Sequence, residues 1–440
     1  MPTRIVSLLN RHTFLILHRW LGLLLILPVL LLSLTGGLLV YKQELDQWLN
    51  ADLMLIEQYD LYAEPLSVAQ LEDRIQQVYP QSRISWFDLS FYQGSAYLPG
   101  QESGVQPAAV FWISGVRDGF GNYHAPIHSQ IFVNPYTGEV LGGRKWGEYH
   151  PTGSEPLTRN LMPLIYKLHY SMLAGQDGRA ILGWLTLVWL LLVPVGVYLS
   201  WPHHAKSSSG GTGNRKKPAF RHDLIHWLGF WRYRKGKSRF QKDFFNHRWL
   251  GLVFTPVMII FLLSGLSFNL KPIYYVVFDP VGQRQLAHKT IETSPMGQAQ
   301  PMSLEQAVAT GQRLTQAWAK DEGFDVIRPV GLSHSAFKGT YLYRSYSSLD
   351  YSADSAKTSV WFDAKTGELL ARFQATGASS VDSMTVGFGA VHKSELGGWS
   401  RMLSLLLVAA SVWLTVTGFR IWWFKYRARR SSARRKKHQG

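Results

Sequence analysis

His18-Arg19-Trp20-Leu21-Gly22-Leu23 occurs a second time, letter for letter, as His247-Arg248-Trp249-Leu250-Gly251-Leu252, at an offset of 229. An identical hexapeptide at such a distance points to an internal duplication. The same offset relates Thr35-Gly36 to Ser264-Gly265, and Thr137-Gly138-Glu139 to Thr366-Gly367-Glu368. Pro65-x-Ser67 resembles Pro301-x-Ser303 at an offset of 236, and Lys167-Leu168-His169 resembles Ala390-Val391-His392 at 223. One unit therefore reads as helix, polar domain, helix, and the chain holds two such units.

Each hexapeptide lies near the start of a long apolar run. Four runs reach the length of about 20 residues that a membrane span needs: Phe14–Tyr41, Ala180–Trp201, Phe245–Leu270 and Trp399–Phe424. Pro28, Pro194 and Pro256 lie inside three of them, where neighbouring helices can absorb a proline. The first run is longer than a signal-peptide core. It continues into Tyr41-Lys42-Gln43-Glu44 rather than a small-residue cleavage site, so it reads as a retained helix.

Composition agrees with a membrane protein. Of 440 residues only 17% are charged, against about 25% in a soluble domain. There are 46 Lys and Arg against 29 Asp and Glu, a net charge of +17. Residues 1–19, 202–248 and 420–440 hold 24 of those 46 basic groups and only two acids, Asp223 and Asp243. Every basic block flanks an apolar run, so the charge reads as topology and not as a nucleic-acid surface. By the positive-inside rule both termini and the central loop face the cytoplasm.

The expected fold is an α-helical membrane protein with four transmembrane helices and two extracytoplasmic α+β domains produced by tandem duplication. Residues 1–41 form the N-terminus and first span, and 42–160 the first outer domain. A membrane-edge segment and the second span occupy 161–201, and a basic cytoplasmic loop 202–244, with a flexible linker at 206–218. The third span is 245–270, the second outer domain 271–390, a membrane-edge segment with the fourth span 391–424, and a basic tail 425–440. In the outer domains, Ser67–Val78 and Ser303–Trp318 have helical periodicity, each opened by an N-capping serine. Gln130–Leu141 and Val360–Leu370 read as hairpins turning at Thr-Gly.

The chain has no cysteine. This excludes a disulfide framework, thiolate metal centres, a thiol nucleophile and covalent haem attachment through C-x-x-C-H. There is no phosphate-binding loop, no dinucleotide-binding glycine motif and no local signature of a catalytic triad. No catalytic acid or base stands out. His124-x-x-x-His128 is a poor metal motif, because Gly121 and Pro126 favour a loop. Trp86, Trp112, Trp146, Tyr341, Tyr343 and Trp361 are aromatic outer residues for which core packing is the default over a ligand surface.

Of the 15 histidines, four sit at repeat-related membrane edges. His18 and His247 lie near the cytoplasmic ends of the first and third spans. His169 and His392 precede the second and fourth. Ionisable groups in membrane segments are costly and mark function. Two neutral imidazoles on facing helices with an apolar slot between them suit the axial ligation of haem b. Gly22, Gly36, Gly37, Gly251 and Gly265 would let a flat ring approach the backbone. Arg19, Arg248, Arg179 and Arg401 lie where propionates need charge partners. The stretch from His18 to Thr35 makes about 25 Å of helix, which separates an inner pair, His18 with His247, from an outer pair, His169 with His392. Two haems stacked this way form an electron path across the bilayer. His222 and His226, in the amphipathic stretch His222–Trp231, are competing inner ligands.

His-Arg-Trp-Leu-Gly-Leu, a Thr/Ser-Gly late in the same helix, and the Asn134-Pro135-x-Thr137-Gly138-Glu139 and Asp363-x-x-Thr366-Gly367-Glu368 hairpins resemble the PepSY-associated transmembrane helix family. The resemblance spans nearly the whole chain apart from the linker and tail. It implies a bacterial inner-membrane protein tied to iron uptake, with PepSY-like periplasmic domains. Members of the ferrioxamine-reductase type bind two haems b and reduce ferric siderophores in the periplasm. On that resemblance His18, His169, His247 and His392 are the haem-iron ligands. The longer cytoplasmic loop with its His222/His226 pair departs from the family pattern.

The leading reading is a haem-b reductase that delivers electrons to a ferric siderophore or other iron chelate and releases Fe(II). Its donor is cytoplasmic or a membrane quinol. The alternative is a non-enzymatic PepSY sensor or peptidase-binding membrane protein without haem. A transporter is disfavoured because the midplane is rich in Leu, Val and Ile, with few polar breaks.

Overall fold

The computed structural model describes residues 10–56, 64–89, 106–117, 122–148, 156–201, 227, 236–292 and 301–437. His222, His226 and the 206–218 linker lie outside the described residues. In chain order the helices are α1 (Arg11–Leu24), α2 (Ile26–Leu39), α3 (Lys42–Leu49), α4 (Ala51–Met54), α5 (Val68–Val78), α6 (Leu161–Ser171), α7 (Gly175–Ser200), α8 (Arg239–Val253), α9 (Thr255–Asn269), α10 (Lys271–Phe278), α11 (Leu304–Glu322), α12 (Ser380–His392) and α13 (Gly398–Lys437). The chain divides into two bodies. A helical body comprises Met1–Val40, His169–Tyr274 and Trp399–Gly440; a sheet body comprises Tyr41–Leu168 and Tyr275–Gly398.

Two helices of the helical body are long and apolar enough to cross a membrane, Gly175–Ser200 and Gly398–Arg435. Two further spans arise if each bent pair counts as one: α1 with α2, bent by 53°, and α8 with α9, bent by 63°. The breaks fall at Leu25 and Phe254, positions related by the same offset as the two hexapeptides. Proline explains both. Pro28 cannot donate to the carbonyl of Leu24, nor Pro256 to that of Leu252, and each ring crowds the preceding turn. Pro194, by contrast, sits inside the uninterrupted α7. The bends leave His18 and His247 on short half-helices, α1 and α8.

The sheet body is α+β. Its strands are β1 (Leu55–Ile56), β2 (Ser82–Asp88), β3 (Gln106–Pro107), β4 (Ala109–Arg117), β5 (Tyr123–His124), β6 (Gln130–Val133), β7 (Val140–Arg144), β8 (Val326–Ser335), β9 (Thr340–Ser347), β10 (Ser359–Asp363) and β11 (Leu369–Phe373). Nine of them form one sheet in the order β11-β10-β9-β8-β2-β4-β6-β7, with β5 on β4. Both outer segments therefore share a single sheet. The seam is the antiparallel pair β2/β8, with Trp86 opposite Ser333, Phe87 opposite Leu332 and Asp88 opposite Gly331.

The two halves are built alike. Ser67 and Ser303 each cap a helix in a reciprocal box, with Gln70 and Gln306. Val68, Leu71 and Ile75 of α5 and Leu304, Ala307 and Val308 of α11 bury against the sheet in one continuous core with Phe87, Phe111, Leu332 and Phe362. Asn134 accepts from the backbone N–H of Tyr136 and Thr137, and Asp363 from that of Lys365 and Thr366. Each such turn ends on a glycine in the left-handed region, Gly138 at φ 74° and Gly367 at φ 73°. One half also holds a buried ion pair, in which Arg144 donates to both Asp46 oxygens at 2.9 and 2.8 Å. Its remaining bonds go to Gln130 and the Arg159 carbonyl.

Candidate functional site

The helical body encloses a cavity of about 730 Å³, within the range of roughly 300–1,000 Å³ usual for cofactor pockets. His18 of α1 and His247 of α8 both line it. Their ring centres are 6.3 Å apart and their planes cross at 83°. Most of the wall is apolar, with Leu25, Val29 and Met258 among its buried members. Among the described residues no acidic side chain lines it. Basic groups do: Arg11, Arg19, Arg248, Lys425 and Arg429.

Each imidazole is held from behind by the paired helix of its own repeat. His247 turns Nδ1 toward α13, 3.0 Å from the Leu414 carbonyl and 3.1 Å from Thr417 Oγ1. A Cβ on the next residue, Gly418, would lie 3.2 Å from His247 Cε1. His18 meets α7 in the same way, since a Cβ on Gly196 would lie 3.1 Å from its Cε1. Only glycine lets the rings sit this close. With the Nδ1/Cε1 edge of each ring against a helix, the opposite edge, carrying Nε2, is the one left for the cavity. A metal-to-imidazole nitrogen bond is about 2.0–2.1 Å. Two imidazoles that shared one metal through Nε2 would therefore bring their ring centres to about the separation seen here. The observed spacing fits a single metal between them. It fits haem iron in particular, because the cavity around the pair is apolar and rimmed by cations that suit carboxylates.

The other sequence-derived residues distribute as follows. His169, in α6, has Nδ1 2.9 Å from Thr35 Oγ1, and a Cβ on Gly36 would lie 3.1 Å from its Cε1. His392 is the last residue of α12, in the sheet body. Arg19 and Arg248 flank the cavity; Arg19 Nε is buried without a hydrogen bond among the described residues, and its guanidinium lies over Trp20. Arg179 donates to the Phe268 carbonyl at 2.9 Å, which caps the end of α9. Arg401 is part-buried in α13. The glycines separate into two groups. Gly22 and Gly251 line the cavity, but Gly36 abuts His169, Gly37 meets Val408 and Gly265 meets Thr186.

In the sheet body, Ser85, Trp86, Trp112, Ser333 and His334 line a shallow groove of about 410 Å³ across the seam. Burial, with Arg83 nearby, pushes His334 down to about 4. Tyr341 and Tyr343 are core residues, and Trp361 is stacked on His288. His128 bonds Tyr79 through Nδ1 at 2.7 Å, and His124 lies on a strand, so the pair is not a helical metal motif. No group of three or more His, Asp or Glu forms a metal site among the described residues.

Three groups escape a reading of the sequence: Val195-Gly196, Thr417-Gly418, and the basic trio Arg11, Lys425 and Arg429. Gly196 and Gly418 are related by an offset of 222, one short of the His169–His392 offset. That near-match is the signal by which they could be found.

The PepSY-associated TM region, a protein family, matches residues 15–425. The chain belongs to this family. No curated relative matches it. The PepSY-associated TM match takes in both hexapeptides and all four membrane-edge histidines, and it makes this a membrane protein. His222 and His226 lie within the matched span but outside the described residues.

Proposed function

We propose that this protein is a haem-b reductase of the bacterial inner membrane that passes electrons across the bilayer to ferric siderophores or related iron chelates. The observation that carries the reading is the 6.3 Å spacing of His18 and His247 across an apolar, cation-rimmed cavity. When bound, haem b supplies reversible one-electron chemistry. The chain's own residues do the rest. His18 and His247 hold the inner iron, and the apolar wall excludes water. Arg19 and Arg248 neutralise carboxylates at the rim, with Arg11, Lys425 and Arg429 beside them. The family resemblance also names His169 and His392 as iron ligands, and Arg179 and Arg401 serve as charge partners for carboxylates. Basic blocks at both termini and in the central loop orient the chain with the inner pair toward the cytoplasm and the sheet body in the periplasm. There one electron converts chelated Fe(III) to Fe(II), which hard oxygen donors hold far less tightly. The reductant is a cytoplasmic donor or a membrane quinol.

The test is a reduced-minus-oxidised spectrum of purified full-length protein with haemochrome quantitation. A b-type spectrum at about two haems per chain, oxidised on addition of a ferric chelate, is expected. Protein made with ample haem yet containing none would overturn the reading and favour a non-enzymatic PepSY protein that binds a peptidase. A reporter fused after Gly440 is expected to read cytoplasmic, and a periplasmic readout would reverse the direction of electron flow.

A further inference from the structure

The duplication lets the two inner histidines be compared atom by atom, and they are not equivalent. Thr417 Oγ1 donates to the Trp413 carbonyl at 2.7 Å. Its lone pair is therefore the part available to His247, 3.1 Å away at Nδ1. Together with the Leu414 carbonyl at 3.0 Å, it offers that nitrogen two acceptors. This places the ring proton on Nδ1 and leaves the Nε2 lone pair for the metal. Thr35 makes the same arrangement at His169: it donates to Leu31 at 2.6 Å and lies 2.9 Å from Nδ1. In both cases the next residue is the glycine that the imidazole rests against. At His18 the glycine is present, Gly196, but the residue before it is Val195. No hydroxyl stands there, and His18 Nδ1 is buried with no hydrogen bond among the described residues.

Hydrogen bonds to the non-ligating nitrogen fix an imidazole's orientation and raise its basicity, and losing them costs about 10–100-fold in metal affinity. We infer that His247 is the anchoring ligand of the inner site and His18 the exchangeable one, so that the site opens on the His18 side to a small exogenous ligand. Thr417 is the positioning side chain behind the difference, acting with the Leu414 carbonyl. This rests on the haem reading above.

The experiment uses purified, haem-loaded full-length protein with carbon monoxide as probe. Val195→Thr supplies the missing hydroxyl acceptor. It is expected to slow carbon monoxide binding to the reduced protein tenfold or more. It should also shift one haem's reduction equilibrium toward ferric by up to tenfold, about 59 mV for one electron. Thr417→Val is expected to shift the same haem the other way. His18→Ala is expected to keep that haem as a five-coordinate, high-spin species, whereas His247→Ala loses it. Val195→Thr matching wild type in both rate and potential would overturn the assignment, as would His247→Ala keeping the haem that His18→Ala loses. Wild-type protein without haem would overturn the haem reading and this assignment together, which separates the two failures.

Discussion

Replacing Gly418 with alanine puts a methyl carbon 3.2 Å from His247 Cε1 and 3.6 Å from Nδ1. Carbon atoms rest about 3.5–4.0 Å apart, so the imidazole must retreat from α13 by a few tenths of an ångström. Two opposing terms act on the fold. Removing an interior helix glycine gains about 0.8–1.0 kcal/mol, and overpacking costs about 1–3 kcal/mol. Their sum lies between about 0 and 2 kcal/mol of destabilisation, so the variant folds. The retreat lies within the roughly 0.5 Å that ligand geometry tolerates, so its effect falls on the 3.0 and 3.1 Å contacts of His247 Nδ1, which it stretches. Weakening that support costs about 10–100-fold in metal affinity. Haem release from Gly418→Ala, followed by transfer to an excess of apo-haem acceptor, is expected to be at least tenfold faster than from wild type. Gly37→Ala is the matched control, because its methyl meets Val408 Cγ1 at an ordinary 3.4 Å. Equal release from both variants and wild type, with identical spectra, would refute the argument that the glycine seats the ligand.

Three further outcomes follow from the sheet body. Arg144→Met strands the Asp46 carboxylate, only 3% exposed, at a cost of about 3–5 kcal/mol, so thermal denaturation should begin well below wild type; an unchanged midpoint contradicts this. Phe87→Ala deletes a buried ring at the seam, costing about 3–5 kcal/mol, and should speed amide exchange in β9 as well as β4; acceleration confined to β4 would mean that the halves are uncoupled. His334 is held at about 4 by burial and by Arg83, against an ordinary 6.5. The unfolded chain therefore takes up a proton between pH 6.5 and pH 4 that the folded chain refuses. The stability His334 contributes is level above that window and falls as pH drops through it, by on the order of 1–3 kcal/mol after solvent screening. His334→Phe, which keeps a ring against Tyr341, should flatten this acid limb, and an unaltered limb would remove His334 as its source.

The apolar helices, the repeat and both hairpins are legible in the sequence because each rests on local pattern: apolar length, an exact hexapeptide, and Asx turns closed by glycine. The bends are not. Pro28, Pro194 and Pro256 look alike in sequence, yet only the first and last sit close behind a helix break. The shared sheet is also hidden, since its seam joins strands from opposite halves of the chain through a short run of pairs, with no periodicity to announce it. At the cavity, His18 and His247 stand out by the cost of placing an imidazole in an apolar run. Thr417 does not, because threonine is unremarkable in an apolar helix and its hydroxyl acquires meaning only once α13 is set against α8. Gly36 reads as room for a flat ring when it is room for His169. The alternation in β9 already places Tyr341 and Tyr343 on one face, and that face is the core.

The strand order β7-β6-β4-β2-β8-β9-β10-β11 reads the same from either edge, with first strand meeting first strand at the seam. A two-fold homodimer of one half would build this sheet, residue i touching j and j touching i. In such a dimer every mutation is made twice, so a valine before one glycine would be a valine before both. Joining the halves in one chain removes that constraint. Val195 and Thr417 are such a difference: each precedes the glycine against which its histidine rests, and only one of them carries a hydroxyl.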